Sequence, residues 1–410
     1  VQIYLGHEKK NVSDAETLVY SSAITADNIE VKTAKERRIP VIPRAEMLAE
    51  LMRLKFSIAV AGTHGKTSTT SMLASIFNEA GTDPTYVVGG KLKTEESGAK
   101  LGRSEYLIAE ADESDGSFLK LYPTIGIITN IENDHLDYYG SMTSLLDAFV
   151  DFCNKVPFYG AAIINRGCAF STQIIPRIKK KIITFGFGKE ANIRAVKLEQ
   201  DAFTSHFDLF INQEPQGRID LNTTGTHNIE NALAAIAAAN EAEIGIESIK
   251  AGLKNFYLPD RRFQVLFYDK KHLVIDDYAH HPTEVRATIS ALNNGNHKRV
   301  IVVFQPHRFT RLSILMDEFK DSFSGIDQLY IARLYAANQQ EIEKINGETL
   351  RDKIVESGFS DVIYMDSLDE IPVRLASEIQ EGDAIAFLSA GNLSHYAHKF
   401  AALLEEKYKS

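Results

Sequence analysis

Cysteine is nearly absent from this 410-residue chain: only Cys153 and Cys168 occur, with neither metal-ligand spacing nor a disulfide framework. That excludes a disulfide-stapled secreted scaffold and leads us to expect a reduced, cytoplasmic compartment. A surplus of positive charge is missing too, since 45 Lys and Arg face 55 Asp and Glu, a formal net charge of −10. No nucleic-acid partner is expected, because binding a phosphate backbone needs excess Lys and Arg. Anionic nucleotides would need a local site built for phosphate. No run of about 18 apolar residues occurs, so membrane insertion is not expected. The chain shows no signal-peptide pattern, internal repeat or low-complexity tract.

What is present reads as an α/β protein. Hydrophobic residues make up 44 % and charged residues 24 %, a soluble globular composition, and the length calls for two or three domains. Short apolar runs alternate with helical-period segments, the pattern of largely parallel sheets. The first 54 residues hold VQIYLG, read as a strand, further strands near Thr17–Tyr20 and Ile39–Ile42, and the amphipathic helix RAEMLAELMRLK. From Phe56 the strand FSIAVAG enters a Gly-rich turn and a helix, KTSTTSMLASIFNEAG. Strands SEYLIAEADES, TIGIITNIEND and GAAIIN follow. The alternating stretch 181–222 reads as antiparallel strands and precedes the Ala-rich helix NIENALAAIAAANEAE. Pro259 and Asp260-Arg261-Arg262 read as a linker. Beyond it lie the strands HLVIDDY, KRVIVVFQP, QLYIARLY, DVIYMD and DAIAFLSAG, separated by helices.

The segment Ala61-Gly62-Thr63-His64-Gly65-Lys66-Thr67 stands between an apolar strand and a helix. Backbone N–H groups and the helix dipole favour an anionic phosphate there. The glycines permit close backbone approach, Lys66 adds a mobile positive charge, and Thr67 offers a hydroxyl to Mg²⁺. Val60 occupies the first glycine position of the full Walker spacing, so the shorter G-T-x-G-K-T form stands here. An ordinary turn entering a helix is the competing reading. A nucleotide with Mg²⁺ needs hard oxygen ligands, expected at neighbouring strand ends. Glu110 and the cluster Ala111-Asp112-Glu113-Ser114-Asp115 end one strand, and Thr129-Asn130-Ile131-Glu132-Asn133-Asp134-His135 ends the next. Alone, each cluster would be a solvated turn.

In order along the chain, GTHGKTSTT, EADESDGSFLKLYP, TNIENDHLDYYG, GTHNIENALAA, RRF, DDYAHHPTEV, FQPHRFTR and LSAGNLSH resemble the motif series of the Mur ligase family. No single motif is specific; the ordered series over nearly the whole chain is. The resemblance implies an α/β fold with the three-domain Mur ligase architecture. A partial N-terminal Rossmann-like domain (1–54) binds the UDP-sugar. A central P-loop ATPase domain (55–258) and a C-terminal Rossmann-like domain (259–410) complete it. The implied activity is ATP-dependent, ADP-forming amide-bond formation in peptidoglycan precursor synthesis. L-alanine is joined to the carboxylate of UDP-N-acetylmuramate through an acyl phosphate, with ATP and Mg²⁺ required.

The same resemblance assigns Gly62, Thr63, Gly65, Lys66, Thr67 and Ser68 to the ATP phosphates, and Thr67, Glu110 and His135 to the metal. Asn228 and Asn231 match residues that hold the adenine, Arg262 one that reaches the phosphates, and Asp277 one on the ribose. His280, His281, Arg308 and Arg311 fall where the amino acid binds, with His281, Arg308 and Arg311 joining Lys66 as catalytic candidates. Elementary chemistry agrees. A carboxylate is a poor electrophile and needs activation, phosphoryl transfer needs charge stabilisation, and Arg pairs bidentately with a substrate carboxylate. A neutral His can accept a proton from the ammonium, although His280-His281 also reads as a turn before Pro282.

Two departures stand out. The family's first domain begins with a Gly-rich loop after its first strand, and none precedes VQIYLG, so at least one βα unit of the UDP-sugar domain is expected to be missing. Ser21-Ser22-Ala23-Ile24 and Arg44 still resemble the rest of that domain. Several Mur ligases carry a carbamylated lysine after the DH motif; SLLDAFVDFCNK has no lysine before Lys155, so none is expected. Two alternatives stay open: a sister ligase that attaches a recycled tripeptide to the same sugar, and an ATP-binding module without ligase activity. Folylpolyglutamate synthase shares the P-loop logic but lacks the DDYAHHP and FQPHR pair.

Overall fold

The computed structural model describes residues 2–21, 23–89 and 98–408. They form an α/β protein of two compact units. One unit takes in Val1–Val88, Ala99–Ile193 and Ala234–Gly245; the other is built on Arg194–Leu233 and Ile246–Ser410.

In the first unit, β1 (Leu18–Tyr20) and β2 (Val41–Pro43) pair in parallel. Between them runs the helix Ile29–Glu36, capped by Asn28, whose side chain accepts from Glu30 N and Val31 N. The opening VQIYLG is not the strand its apolar pattern predicts. Residues 2–6 have no strand pairing, and Ile3 and Leu5 are 84 % and 97 % exposed. An apolar run without a neighbouring ladder or a core to face does not become a strand.

The larger sheet of this unit holds β3 (Phe56–Ala61), β4 (Thr85–Val87), β5 (Ala99–Lys100), β6 (Tyr106–Glu110), β7 (Ile125–Ile128), β8 (Ala161–Asn165) and β9 (Ile182–Gly186). Their order is β9-β8-β7-β3-β6-β4-β5, parallel throughout except for the edge pair β4–β5. Strands β7 and β8 are buried at every position, which is why they read as unbroken apolar runs. The helix Met142–Asn154 packs Phe149 and Phe152 against Phe118 on one face. The expectation of antiparallel strands over 181–222 fails at β9, which runs parallel to β8. The short helix Ala169–Ile174 carries the chain back over the sheet, so β9 starts again in the same direction.

In the second unit, β10 (Ile193–Gln200), β11 (Ser205–Ile211) and β12 (Glu214–Leu221) lie side by side. Strands β11 and β12 form the expected antiparallel hairpin. Its loop is Asn212-Gln213, both at positive φ (48° and 71°), a two-residue turn whose twist suits paired strands. A second sheet has the order β13-β14-β18-β15-β16-β17, with β13 (Gln264–Tyr268), β14 (Leu273–Asp277), β15 (Arg299–Phe304), β16 (Gln328–Ala332), β17 (Val362–Met365) and β18 (Asp383–Leu388). Only the edge strand β13 is antiparallel. Apolar clusters cover both faces, with Ile275, Val302 and Phe304 on one and Val274, Val303 and Phe387 on the other. Asp277 and Phe304 are both paired with Leu388, so the carboxyl ends of β14, β18 and β15 are level. Among the described residues, no helix is long and apolar enough to cross a membrane.

Candidate active site

Strand register builds the candidate phosphate site of the first unit. Val60 of β3 pairs with Glu110 at the end of β6, and Ala61 pairs with Ile128 at the end of β7. Three strand ends therefore meet where β3 turns into the helix Lys66–Glu79. Gly62 has φ +128°, and a Cβ there would lie 2.1 Å from Thr129 Oγ1 and within 3.0 Å of the Asn130 backbone. Only glycine fits. Gly65, at φ 82°, caps the helix in the left-handed region, leaving its first N–H groups directed at the loop. The loop is laced to the segment after β7. Thr63 N donates to Asn130 O at 3.1 Å, His64 N to Asn130 Oδ1 at 2.8 Å, and Glu132 N to Thr63 Oγ1 at 2.9 Å. Ser68 is buried in the first helical turn.

Lys66 Nζ donates to Glu113 Oε1 at 2.9 Å, and Glu113 is 1 % exposed. Burial pushes the lysine pKa down, but the carboxylates of Glu113, Asp112 and Glu110 outweigh it and hold the ammonium charged. Thr67 Oγ1 donates to Glu110 Oε2 at 3.2 Å. His135, at φ 58°, starts the short helix Leu136–Tyr139 and places Nε2 3.9 Å from Glu113 Oε1. Glu113 Oε2 is shielded from solvent and has no hydrogen-bond partner. The Glu110 and Glu113 carboxylates, the latter with one oxygen shielded and unsatisfied, the Thr67 hydroxyl and the His135 imidazole are donor types that a hard divalent cation takes. Of the residues assigned here, Thr67 meets Glu110, while Lys66 and His135 both approach Glu113. Sequence reasoning missed Glu113 and Asn130, although both stand in the acidic and polar runs at these strand ends.

In the second unit, the buried Asn228 donates to Thr224 O at 2.7 Å and receives a bond from Asn231 Nδ2 at 3.5 Å. Asp277 accepts from Phe263 N at 2.6 Å and from Ala279 N at 2.8 Å. Here it ties the linker to β14. Burial pushes its pKa up to about 6, against the pull of Arg262 and these two N–H groups. Arg262 lies over the Tyr278 ring at 5.1 Å, with Arg261 also over that ring at 4.8 Å.

The turn before Pro282 is a working helix cap. His281 Nδ1 accepts from Thr283 N at 3.4 Å, and Glu284 completes a capping box. His281 Nδ1 is therefore engaged as an acceptor, and His281 is 1 % exposed. His280 Nδ1 faces the Tyr278 carbonyl at 2.8 Å and so carries the hydrogen. That makes its Nε2 the basic nitrogen. The His280 and His307 rings lie 5.8 Å apart, and His307 stacks on Tyr335 at 9°. Arg308 begins the helix Phe309–Lys320 from a positive φ of 68°, its N–H bonded to Tyr335 O. Arg311 follows three residues further on. It lies in the first turn of that helix, 9 % exposed, and donates to His307 Nδ1 at 3.3 Å. Burial and Arg311, Arg308 and Arg261 push the His307 pKa down to about 4. His307 was legible as part of QPHR; Tyr335, beyond the end of β16, gave no signal.

Of the residues suspected on the uridine side, Ser21 accepts from Ala23 N at its hydroxyl and from Ile24 N at its carbonyl, and Arg44 starts the helix Arg44–Arg53. Ser22 lies outside the described residues.

Three family models match: Mur ligase family, catalytic domain, over residues 1–56; Mur ligase middle domain over 60–239; and Mur ligase, glutamate ligase domain over 261–391. The UDP-N-acetylmuramate–L-alanine ligase of Myxococcus xanthus is 45 % identical over 97 % of this chain and 84 % of its own length. The corresponding ligase of Sulfurihydrogenibium sp. is 46 % identical over 99 % of this chain and 88 % of its own. A crystal structure of UDP-N-acetylmuramate-alanine ligase from Thermotoga maritima shares the fold, with a TM-score of 0.82 at 24 % identity, covering 98 % of this chain and 88 % of that one. Matched in this way along nearly all of its length, the chain belongs to the Mur ligase family.

Proposed function

We infer that this chain is an ATP-dependent ligase that joins L-alanine to the carboxylate of UDP-N-acetylmuramate in peptidoglycan synthesis. The observation that carries the reading is identity of about 45 % over 97–99 % of the chain to relatives that bear this one activity in their names. The chemistry of the two residue clusters supports it. In the first half-reaction the sugar's carboxylate oxygen attacks the γ-phosphorus of ATP, ADP leaves, and an acyl phosphate forms. Lys66 meets the charge on the transferring group, and the loop around Gly62, Thr63, Gly65 and Ser68 orients the phosphates. Thr67, Glu110 and His135 would hold Mg²⁺, which neutralises phosphate charge when bound. Asn228 and Asn231 are assigned to the adenine, Arg262 to the phosphates and Asp277 to the ribose.

In the second half-reaction the amine attacks the acyl carbon and phosphate leaves. Arg308 and Arg311 orient the amino-acid carboxylate. His280 is the better placed proton acceptor for the ammonium, because the cap at His281 engages that residue's Nδ1. Domain boundaries at 54/55 and 258/259 and a cytoplasmic location belong to the same reading. The test is isotopic: UDP-N-acetylmuramate with an ¹⁸O-labelled carboxylate should pass one label to the released phosphate. Unlabelled phosphate alongside labelled product would rule out the acyl phosphate.

A further inference from the structure

The Lys66 ammonium has three protons, and the structure supplies three acceptors. They are Gly62 O at 2.6 Å, Thr63 O at 3.2 Å and Glu113 Oε1 at 2.9 Å. Two of them belong to the loop that would wrap the phosphates. The lysine is therefore folded back on its own loop, with every N–H committed. Glu113 makes that arrangement hold. Its backbone is fixed independently of the lysine, since the Tyr139 hydroxyl donates to Glu113 O at 2.6 Å. Its carboxylate is buried, and a buried carboxylate stripped of its cation is strongly disfavoured. Lys66 cannot turn away until another positive charge takes its place. The surroundings are ready for one: Oε2 has no partner, His135 Nε2 stands 3.9 Å from Oε1, and the Thr67–Glu110 pair occupies the end of β6.

We propose that Glu113 is a positioning residue that parks Lys66 on the phosphate loop and releases it when a divalent cation arrives with ATP. The proposal rests on reading this loop as the ATP site. The exchange swaps one cation for another beside the same carboxylate. Lys66 then turns to the phosphates, and the Glu113 carboxylate keeps a positive partner. Nucleotide without the cation is penalised by the chain itself, because engaging Lys66 would strand Glu113 buried and unpaired. Glu110 bonds to Thr67 and is the weakest of the three carboxylates that hold Lys66 charged, so it contributes least to this coupling.

Calorimetric titration of the full chain with ATP, in Mg²⁺ and in EDTA, tests the idea without catalysis. Wild type should bind far more weakly in EDTA. Glu113→Gln, which keeps the shape and removes the charge, should shrink the ratio of the two dissociation constants at least tenfold, mainly by tightening metal-free binding. Glu113→Asp, whose shorter arm loses the lysine contact, should move it the same way and serves if the glutamine variant does not fold. Glu110→Gln should leave metal-free binding no tighter. A Mg²⁺ dependence in wild type that both Glu113 variants retain within twofold overturns the proposal alone. A wild-type chain that binds no ATP in either condition overturns the proposal and the ATP-site reading together.

Discussion

Lys66 is the residue whose chemistry is simplest to isolate, because the proposed function has a single ammonium meet the transferring phosphoryl group. Lys66→Ala should lower turnover by about 10²–10³, the range for removing one preorganised electrostatic donor. Steady-state rates with all substrates saturating check this, and a variant keeping half its activity would contradict the role. The histidines give a pH signature. Burial first, and then nearby arginines for His307, push both His227 and His307 down to about 4, from about 6.5 in an unfolded chain. A depressed folded pKa adds stability above pH 6.5, which is lost as pH falls from about 6.5 towards 4. Chemical denaturation should show lower stability at pH 5 than at pH 7. His307→Gln should narrow that gap by on the order of 1 kcal/mol; an unchanged gap would mean His307 is charged in the fold. At this scale the sequence was most legible in placing Lys66, Glu110 and His135 at or just beyond neighbouring strand ends. It was least legible where a neighbour decides the role: nothing in HHPTE says which histidine becomes the helix cap.

Among the elements, the turn from β3 into Lys66–Glu79 depends on one atom being absent. Gly62→Ala puts a methyl 2.1 Å from Thr129 Oγ1 at φ +128°. The strained conformation alone should cost about 1–3 kcal/mol, and the clash pries the loop from Asn130. The denaturation midpoint should fall and ATP binding should be lost, whereas wild-type values for both would show that the loop can relax. Buried parallel strands such as β7 and β8 were easy to locate because both faces are covered and their apolar runs are continuous. The errors came where pairing, not composition, decides. VQIYLG is apolar but unpaired, and β9 takes its direction from the crossover before it.

At the scale of the whole molecule, sequence order brought the motifs into view, while the strand ends of each unit bring residues far apart in the chain into contact. Glu110 meets Thr67, and Tyr335 meets His307, through strand register that no local window reveals. The account as a whole makes one demand: ATP turnover must wait for both the UDP-sugar and a small amino acid. The direct measurement is ADP release with UDP-N-acetylmuramate and each of L-alanine, L-serine, glycine and the tripeptide, alongside controls omitting the sugar. The account predicts that L-alanine gives the highest kcat/KM and that glycine falls within about 10–200-fold of it, since one methyl is worth about 1–3 kcal/mol. It also predicts negligible release with the tripeptide or without the sugar. Fastest release with the tripeptide, or release undiminished when the sugar is left out, would contradict it.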